Sequence, residues 1–106
     1  MPCTRFEKLI NSNRVVLFMK GTPSFPLCGL SGKVCFILKK SQLVFKAEDL
    51  LQDPELYIFL REKNSPSSVP YLYIDRKFVG GYDEVLSMFN EDKLCLNAFI
   101  SEINPY

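Results

Sequence analysis

The order of hydrophobic and polar positions in the first half of the chain predicts a strand, a helix and a second strand. Val15–Met19 is apolar throughout, which is typical of a parallel strand buried on both faces. In Gly29–Lys40 the apolar residues recur at helical spacing, and two lysines end the segment, as is common at a helix C-terminus. The short apolar run Leu43–Phe45 predicts the second strand. Residues 21–26, with two prolines and a glycine, predict a loop before the helix.

The middle of the chain predicts a third helix and a hairpin. Asp53 is a good N-cap and Pro54 suits a first helical position, so we expect a helix that runs to about Lys63. The apolar stretches Tyr71–Ile74 and Phe78–Val79 then predict two antiparallel strands that turn at residues 75–77.

Two glycines end the hairpin, and the last part of the chain predicts two more helices. Asp83 is a candidate cap for a helix through about Phe89, and a final helical stretch is expected over Lys93–Ile100. With a short helix before the first strand, the central order is β-α-β-α-β-β-α. This order predicts an α/β fold, a small mixed four-stranded sheet with helices on both faces. Thioredoxin-like folds have the same order.

Length and composition indicate one small domain. The chain has 106 residues, of which 47% are hydrophobic, so residues 1–106 are expected to form a single domain around one core. With 13 basic and 12 acidic residues the net charge is +1, which argues against nucleic-acid binding through bulk charge. The apolar runs are far shorter than the ~20 residues of a membrane span. Without a signal-peptide core, we expect an intracellular reducing compartment, either the cytoplasm or a mitochondrial-type organelle matrix.

Cysteine carries the candidate chemistry, because the chain contains no histidine. Imidazole acids and bases, and the nucleophile pairs that need them, are therefore excluded. None of the four cysteines lies in a C-x-x-C pair, which excludes a thioredoxin-type dithiol. Two disulfides are an alternative, but the irregular spacing and the expected compartment favour free thiols.

Cys28 is the thiol expected to react. It follows a proline-containing loop and immediately precedes a predicted helix, whose first amides have no partners within the helix. Such amides stabilise a thiolate and lower the pKa of the thiol. An ordinary buried cysteine is the alternative.

Three further segments are candidates for a binding site beside Cys28. Val69-Pro70 precedes a strand, where a cis peptide bond would turn the backbone of Val69 outward, although a trans bond is the commoner case. Gly80–Asp83 opens a helix whose free amides favour a carboxylate, or it forms a simple capped turn. Lys20 ends the first strand and is either a ligand or a solvated charge. Together these segments would suit a small thiol peptide with two carboxylates.

The same segments carry a resemblance to a known family. Phe18–Pro23, Cys28–Ser31, Val69-Pro70 and Gly80–Asp83 resemble the monothiol glutaredoxins of the Cys-Gly-Phe-Ser type, here with Cys-Gly-Leu-Ser. The likeness extends from about residue 6 to residue 98, and the long lead from the Lys-Gly-Thr-Pro segment to the cysteine is specific to that class. The resemblance implies a thioredoxin-like fold in which Pro70 follows a cis bond.

The resemblance also implies a glutathione site. Lys20 would pair with the glycine carboxylate, the backbone of Val69 would hydrogen-bond the cysteinyl unit, and the amides of Tyr82 and Asp83 would hold the γ-glutamyl carboxylate. Tyr57 lies where many members carry an arginine for the glycine carboxylate, and Arg61, one helical turn later, is a candidate replacement. The implied glutathione-binding residues are Lys20, Cys28, Arg61, Val69, Pro70, Gly81, Tyr82 and Asp83.

Family members bind a labile [2Fe–2S] cluster between two protomers, and the resemblance implies the same here. One Cys28 from each protomer and one thiolate from each of two glutathiones supply four sulfur ligands. The implied role is iron–sulfur cluster assembly, carriage and iron homeostasis, with BolA-like proteins and cluster acceptors as partners. The alternative is a glutathione-dependent thiol–disulfide oxidoreductase that uses Cys28 as nucleophile; for the class with the long loop, weak activity of this kind is expected.

Overall fold

Four strands form the central sheet in the order β4-β1-β5-β6, with β1 parallel to β4 and antiparallel to β5. The computed structural model describes residues 3–91, so the helix expected over Lys93–Ile100 lies outside the described residues. The elements are α1 (Thr4–Ser12), β1 (Val15–Met19), β2 (Gly21–Thr22), β3 (Phe25–Pro26), α2 (Gly29–Lys40), β4 (Lys46–Asp49), a 3-10 turn (Leu50–Gln52), α3 (Pro54–Lys63), β5 (Tyr71–Ile74), β6 (Lys77–Gly80) and α4 (Tyr82–Asn90).

Strand β1 is the centre of the core, because all five of its residues are buried. Successive side chains of a strand point to opposite faces of the sheet. Leu17 therefore packs with Val34 and Leu38 of α2 on one face, while Phe18 packs with Leu56 of α3 on the other. The predicted α/β, thioredoxin-like sheet with helices on both faces is confirmed. Among residues 3–91, no helix is both long and apolar enough to cross a bilayer.

The second strand was predicted in the wrong place. Instead of Leu43–Phe45, the strand is Lys46–Asp49, which pairs with β1 at the edge of the sheet. Leu43 belongs to the turn that follows α2. Its amide donates to the carbonyl of Leu38 at 3.0 Å, while Gln42 takes a left-handed φ of 63°. This is the geometry in which helices commonly end, with an apolar residue packed back on the last turn.

The hairpin and the last described helix also differ from prediction in detail. The turn is tighter than expected, since only Asp75 and Arg76 lie between β5 and β6, both with positive φ as a type I′ turn requires. The carboxylate of Asp75 accepts from Arg14 at 3.3 Å and its amide donates to the Arg14 carbonyl, which fixes the turn to the start of β1. Helix α4 is capped at Gly81, and Asp83 lies one position inside the helix.

Candidate functional site

Cys28 is the N-cap of α2 and its side chain is partly exposed. Burial alone would raise the pKa of this thiol, but the amides of Ser31 and Leu30, the Ser31 hydroxyl and the positive charge of Lys20 favour the thiolate. The balance holds the pKa of Cys28 below its ordinary value. Cys28 therefore lies at a helix N-terminus, as predicted, and its reactivity stays a prediction.

Ser31 connects the thiol to the strand that carries the candidate lysine. Its side chain is fully buried, and its hydroxyl oxygen accepts a hydrogen bond from the Lys20 amide at 3.2 Å. The next amide, that of Gly21, donates to the Asp49 carboxylate at 2.8 Å. Two side chains, Ser31 of α2 and Asp49 of β4, thus fix the end of β1 beside Cys28.

The loop predicted over residues 21–26 contains a two-stranded hairpin formed by β2 and β3. Its start depends on Gly21, which has a φ of +89°, a conformation that side chains rarely adopt. A Cβ at this position would lie 2.6 Å from the amide nitrogen of Leu27 and 2.7 Å from the carbonyl oxygen of Phe25. The glycine lets the chain fold closely over itself, and the hairpin delivers Cys28 to the end of the sheet.

The segment before β5 forms one side of a groove. The Val69-Pro70 peptide bond is cis, as the resemblance implied, and the Ser65-Pro66 bond is cis as well. Within residues 3–91, the backbone amide and carbonyl of Val69 have no hydrogen-bonded partner. Gly81 approaches closely, because a Cβ on it would stand 3.2 Å from the Pro70 carbonyl oxygen. The backbone of Val69, which has no partner within residues 3–91, and the start of α4 therefore face the same space.

That space is a cavity of 430 Å³, within the size range of small-ligand sites. Leu30, two residues after Cys28, forms one wall. The full lining consists of Leu30, Pro66, Ser67, Ser68, Val69, Gly81, Tyr82, Asp83 and Glu84.

Glu84 occupies one of the free amides at the start of α4. Its carboxylate accepts from the Gly81 amide at 2.7 Å, which is the glutamate half of a capping box, since a glycine N-cap has no side chain for the other half. The Gly81 amide is therefore already used. The amides of Tyr82 and Asp83 are the next donors at this helix N-terminus, where the helix dipole favours a negative charge. Gly81 lines the cavity and permits close packing.

Lys20 and Arg61 meet at Tyr57, the residue in the place of the family arginine. The Lys20 Nζ lies 5.6 Å from the centre of the Tyr57 ring, and the guanidinium carbon of Arg61 lies 5.7 Å from it. The two candidate carboxylate ligands therefore each lie against the same ring.

The other described cysteines are not part of this site. Cys35 is buried in the core, where its thiol donates to the Met19 sulfur at 3.4 Å and burial raises its pKa. Cys3 is partly buried before α1, and Cys95 lies outside the described residues. All three cysteines of residues 3–91 are free thiols, and no group of three or more histidine, cysteine or acidic side chains among these residues could hold a metal ion.

The fold and the position of Cys28 define the class of protein: a thioredoxin-like protein with one thiol at the start of α2. Comparison with known proteins defines the family. The glutaredoxin family model matches residues 15–79. Monothiol glutaredoxin-S14, chloroplastic, from Arabidopsis thaliana is 43% identical over 88 residues, which cover 83% of this chain and 51% of that protein. The chain belongs to the glutaredoxin family, among its monothiol members.

Solved structures agree with this assignment. The solution structure of reduced poplar apo GrxS14 has a TM-score of 0.78 at 36% identity and covers 95% of this chain and 93% of that chain. The crystal structure of a buckwheat glutaredoxin–glutathione complex has a TM-score of 0.74 at 25% identity, covering 85% and 80%. The chain spans about half or less of the length of the first curated relatives that it matches.

Three residues that position the site were missed from the sequence. Ser31 stood in the quoted motif without a role, although a hydroxyl three residues after an N-cap cysteine lies within reach of its sulfur. Glu84 had a detectable signal, since a glutamate at the third position of a helix commonly accepts from the N-cap amide. Asp49 had no local signal, because its contact with Gly21 crosses from one strand end to another.

Proposed function

We propose that this chain binds glutathione in the cavity beside Cys28. The observation that carries the proposal is a 430 Å³ cavity lined by the backbone of Val69, unpaired within residues 3–91, by the start of α4 and by Leu30, which follows the Cys28 thiol, whose pKa is lowered, by two residues. An extended peptide can pair with such an edge as an added strand. The buckwheat relative in complex with glutathione supports the same ligand class.

The carboxylates of the peptide have matching partners at two ends of the site. The amides of Tyr82 and Asp83 suit the γ-glutamyl carboxylate, with the Asp83 side chain near the amino group. Lys20 and Arg61 suit the glycine carboxylate, since charge-assisted hydrogen bonds to a carboxylate are the stronger kind. Val69, Pro70 and Gly81 shape the groove between them.

The proposed cargo is a [2Fe–2S] cluster held between two protomers. A cluster of this type needs four sulfur ligands, and among residues 3–91 the site of one chain offers a single thiolate, Cys28. Two copies of Cys28 and the thiolates of two glutathiones complete the set. The partly exposed position of the sulfur fits a ligand that has to meet a second protomer. The chain would act in cluster assembly, carriage and iron homeostasis.

Partners and compartment follow from this role. A BolA-like protein would take the place of one protomer, and iron–sulfur acceptor proteins would receive the cluster. The proposed compartment is a reducing one inside the cell, the cytoplasm or an organelle matrix, and residues 1–106 would act as a single domain.

The low pKa of Cys28 also favours a second candidate function, the reduction of glutathionylated proteins. The Cys28 thiolate would attack the glutathione sulfur of the mixed disulfide, break the S–S bond and release the protein thiolate. A second glutathione thiolate would then attack the Cys28–glutathione disulfide, which restores Cys28 and leaves oxidised glutathione. In all, one free glutathione thiol is oxidised and the protein sulfur is reduced to a thiol, so one disulfide bond is broken and one, that of oxidised glutathione, is formed.

Anaerobic reconstitution with iron and sulfide, with and without glutathione, tests the carrier function. We expect a visible absorption band and a dimer on sizing only when glutathione is present. Cys28→Ser should lose both, whereas Cys3→Ser, which changes a thiol outside the site, should keep both. A glutathione-dependent cluster in the Cys28→Ser variant would exclude Cys28 as the ligand.

Turnover of a glutathionylated peptide tests the second function on the same preparations. A protein that turns over the peptide rapidly but forms no cluster would be a reductase. A protein that forms the cluster and turns over the peptide slowly would be a carrier, which is the result we expect.

A further inference from the structure

Two cations share one aromatic ring at the edge of the proposed glutathione site. The Lys20 Nζ and the Arg61 guanidinium carbon lie 5.6 and 5.7 Å from the centre of the Tyr57 ring. Both distances fall within the ~6 Å over which the face of an aromatic ring attracts a cation. Arg61 follows Tyr57 by four residues on α3, so the two are neighbours on one side of the helix.

Core packing fixes the Tyr57 ring, whereas the two cationic side chains reach into solvent. Tyr57 is partly buried and packs against the core cluster that contains Phe18, Leu60 and Tyr71. The Arg61 side chain is exposed and that of Lys20 is partly exposed. Long cationic side chains have many rotamers, so binding a ligand through them normally costs conformational entropy. A fixed ring that attracts both head groups limits those rotamers before a ligand arrives.

Lys20 approaches the ring from a second element whose position is also fixed. It follows the last residue of β1, and its amide is held by Ser31 at 3.2 Å. Its charge acts on Cys28, whose pKa it helps to lower. The side chain therefore spans from the thiol end of the site to the ring on α3.

We propose that Tyr57 is a positioning residue, whose ring holds Lys20 and Arg61 as one two-cation site for a single carboxylate. The inference rests on the proposed function, in which that carboxylate is the glycine carboxylate of glutathione. The guanidinium offers paired donors and the ammonium adds a point charge. Tyrosine thus replaces the family arginine indirectly, by holding Arg61 as its replacement and by limiting the rotamers of Lys20, which the resemblance already assigns to this carboxylate.

Glutathione titrations of Tyr57 variants, with and without the two cations, separate this role from simple packing. Glutathione binding is measured by calorimetry for the wild type, Tyr57→Phe and Tyr57→Leu. Tyr57→Phe keeps the ring and should bind within about twofold of wild type. Tyr57→Leu should bind about three- to tenfold more weakly, the range expected for one or two partly exposed cation–ring contacts.

The deciding measurement repeats Tyr57→Leu in a chain that already carries Lys20→Ala and Arg61→Ala. If the ring acts through the cations, the leucine should then change glutathione affinity by less than twofold. A loss as large as in the wild-type background would show that Tyr57 supports the site by packing alone, and would overturn the proposal. Thermal unfolding of every variant checks that the fold is kept.

Proton NMR of the ligand-free protein tests the placement without glutathione. Protons over the face of an aromatic ring are shielded, so the ε-methylene signals of Lys20 should lie upfield in wild type and Tyr57→Phe, and return to ordinary values in Tyr57→Leu. Unshielded signals in the wild type, or no change in Tyr57→Leu, would overturn the proposal. If the wild type bound no glutathione, the proposed function would fail, and these signals alone would decide whether Tyr57 holds the lysine.

Discussion

Replacing Ser31 by alanine should slow the reaction of Cys28 at low pH and speed it up at high pH. The Ser31 hydroxyl and amide both lower the pKa of Cys28, and the substitution removes the hydroxyl while it keeps the amide. The pKa of Cys28 should therefore rise. A thiol with a higher pKa is less ionised at low pH, but its thiolate is intrinsically more nucleophilic.

The magnitude follows from these two opposing terms. A hydrogen bond to a charged group is worth about 1.5–3 kcal/mol, and the lower end applies because the sulfur is partly exposed. About 1.5 kcal/mol lowers the thiolate-to-thiol ratio roughly tenfold. With a Brønsted coefficient of about 0.4–0.5, each thiolate gains roughly threefold in nucleophilicity. Below the pKa the variant should react about threefold more slowly, and at pH values where both proteins are ionised about threefold faster.

Alkylation with iodoacetamide across pH, read by mass spectrometry of the Cys28 peptide, measures both limbs. Ser41→Ala is the matched control, because it removes a hydroxyl at the opposite end of the same helix. The rates have to be taken well below the unfolding temperature, since the partly buried amide of Lys20 loses its acceptor at a cost of up to about 1–3 kcal/mol. Rates that fall by the same factor at all pH values, without crossing, would refute the assigned role of the hydroxyl.

Three further predictions concern the lysine, the buried thiol and the hairpin glycine. Lys20→Ala should raise the glutathione concentration for half-maximal cluster formation about tenfold or more, because one charge-assisted bond is lost at each of two glutathiones. High salt should reproduce part of this shift in the wild type. An unchanged half-maximal concentration would show that Lys20 is not part of the site. Cys35→Ala should lower the free energy of unfolding by about 1–2 kcal/mol in urea titrations, since it opens a small void in the core, while cluster formation persists. Gly21→Ala should destabilise the fold by about 1–3 kcal/mol, whereas Gly29→Ala, whose added methyl meets nothing within 4 Å, should not; equal effects in thermal unfolding would show that the backbone of Gly21 is not decisive.

Sequence patterns predicted those elements whose signals are local. The helix Gly29–Lys40 was predicted to the residue, and Asp53 caps α3 as expected, by accepting from the Leu56 amide at 3.1 Å. The second strand was missed because Lys46–Asp49 is mostly polar, and an edge strand with one paired neighbour needs no apolar run. The apolar residues of Leu43–Phe45 were assigned to a strand because the left-handed residue that ends α2 is a glutamine rather than a glycine.

The sequence predicted the position of those parts of the candidate site that lie at strand ends. β1 and β4 run parallel and pair Met19 with Asp49, so both strands finish at one edge of the sheet. β5 runs the other way and pairs Tyr71 with Phe18, which places the cis proline before it at that same edge. Any chemistry placed just after β1 or β4, or just before β5, must therefore meet there, whatever the side chains are.

Convergence at one edge of the sheet does not decide which side chains touch, so the side-chain contacts of the site could not be predicted from the sequence. Asp49 could be placed at the edge from the topology alone, but its bond to the Gly21 amide depends on the positive φ of that glycine. Tyr57 is on a helix rather than at a strand end, so no strand order indicates that its ring would meet Lys20. A residue that acts by placing other side chains leaves no motif of its own, because its spacing to them is set by packing. The tyrosine that stands at position 57 in place of the family arginine therefore had no interpretation from the sequence alone. The two cations that the fold brings to its ring provide one.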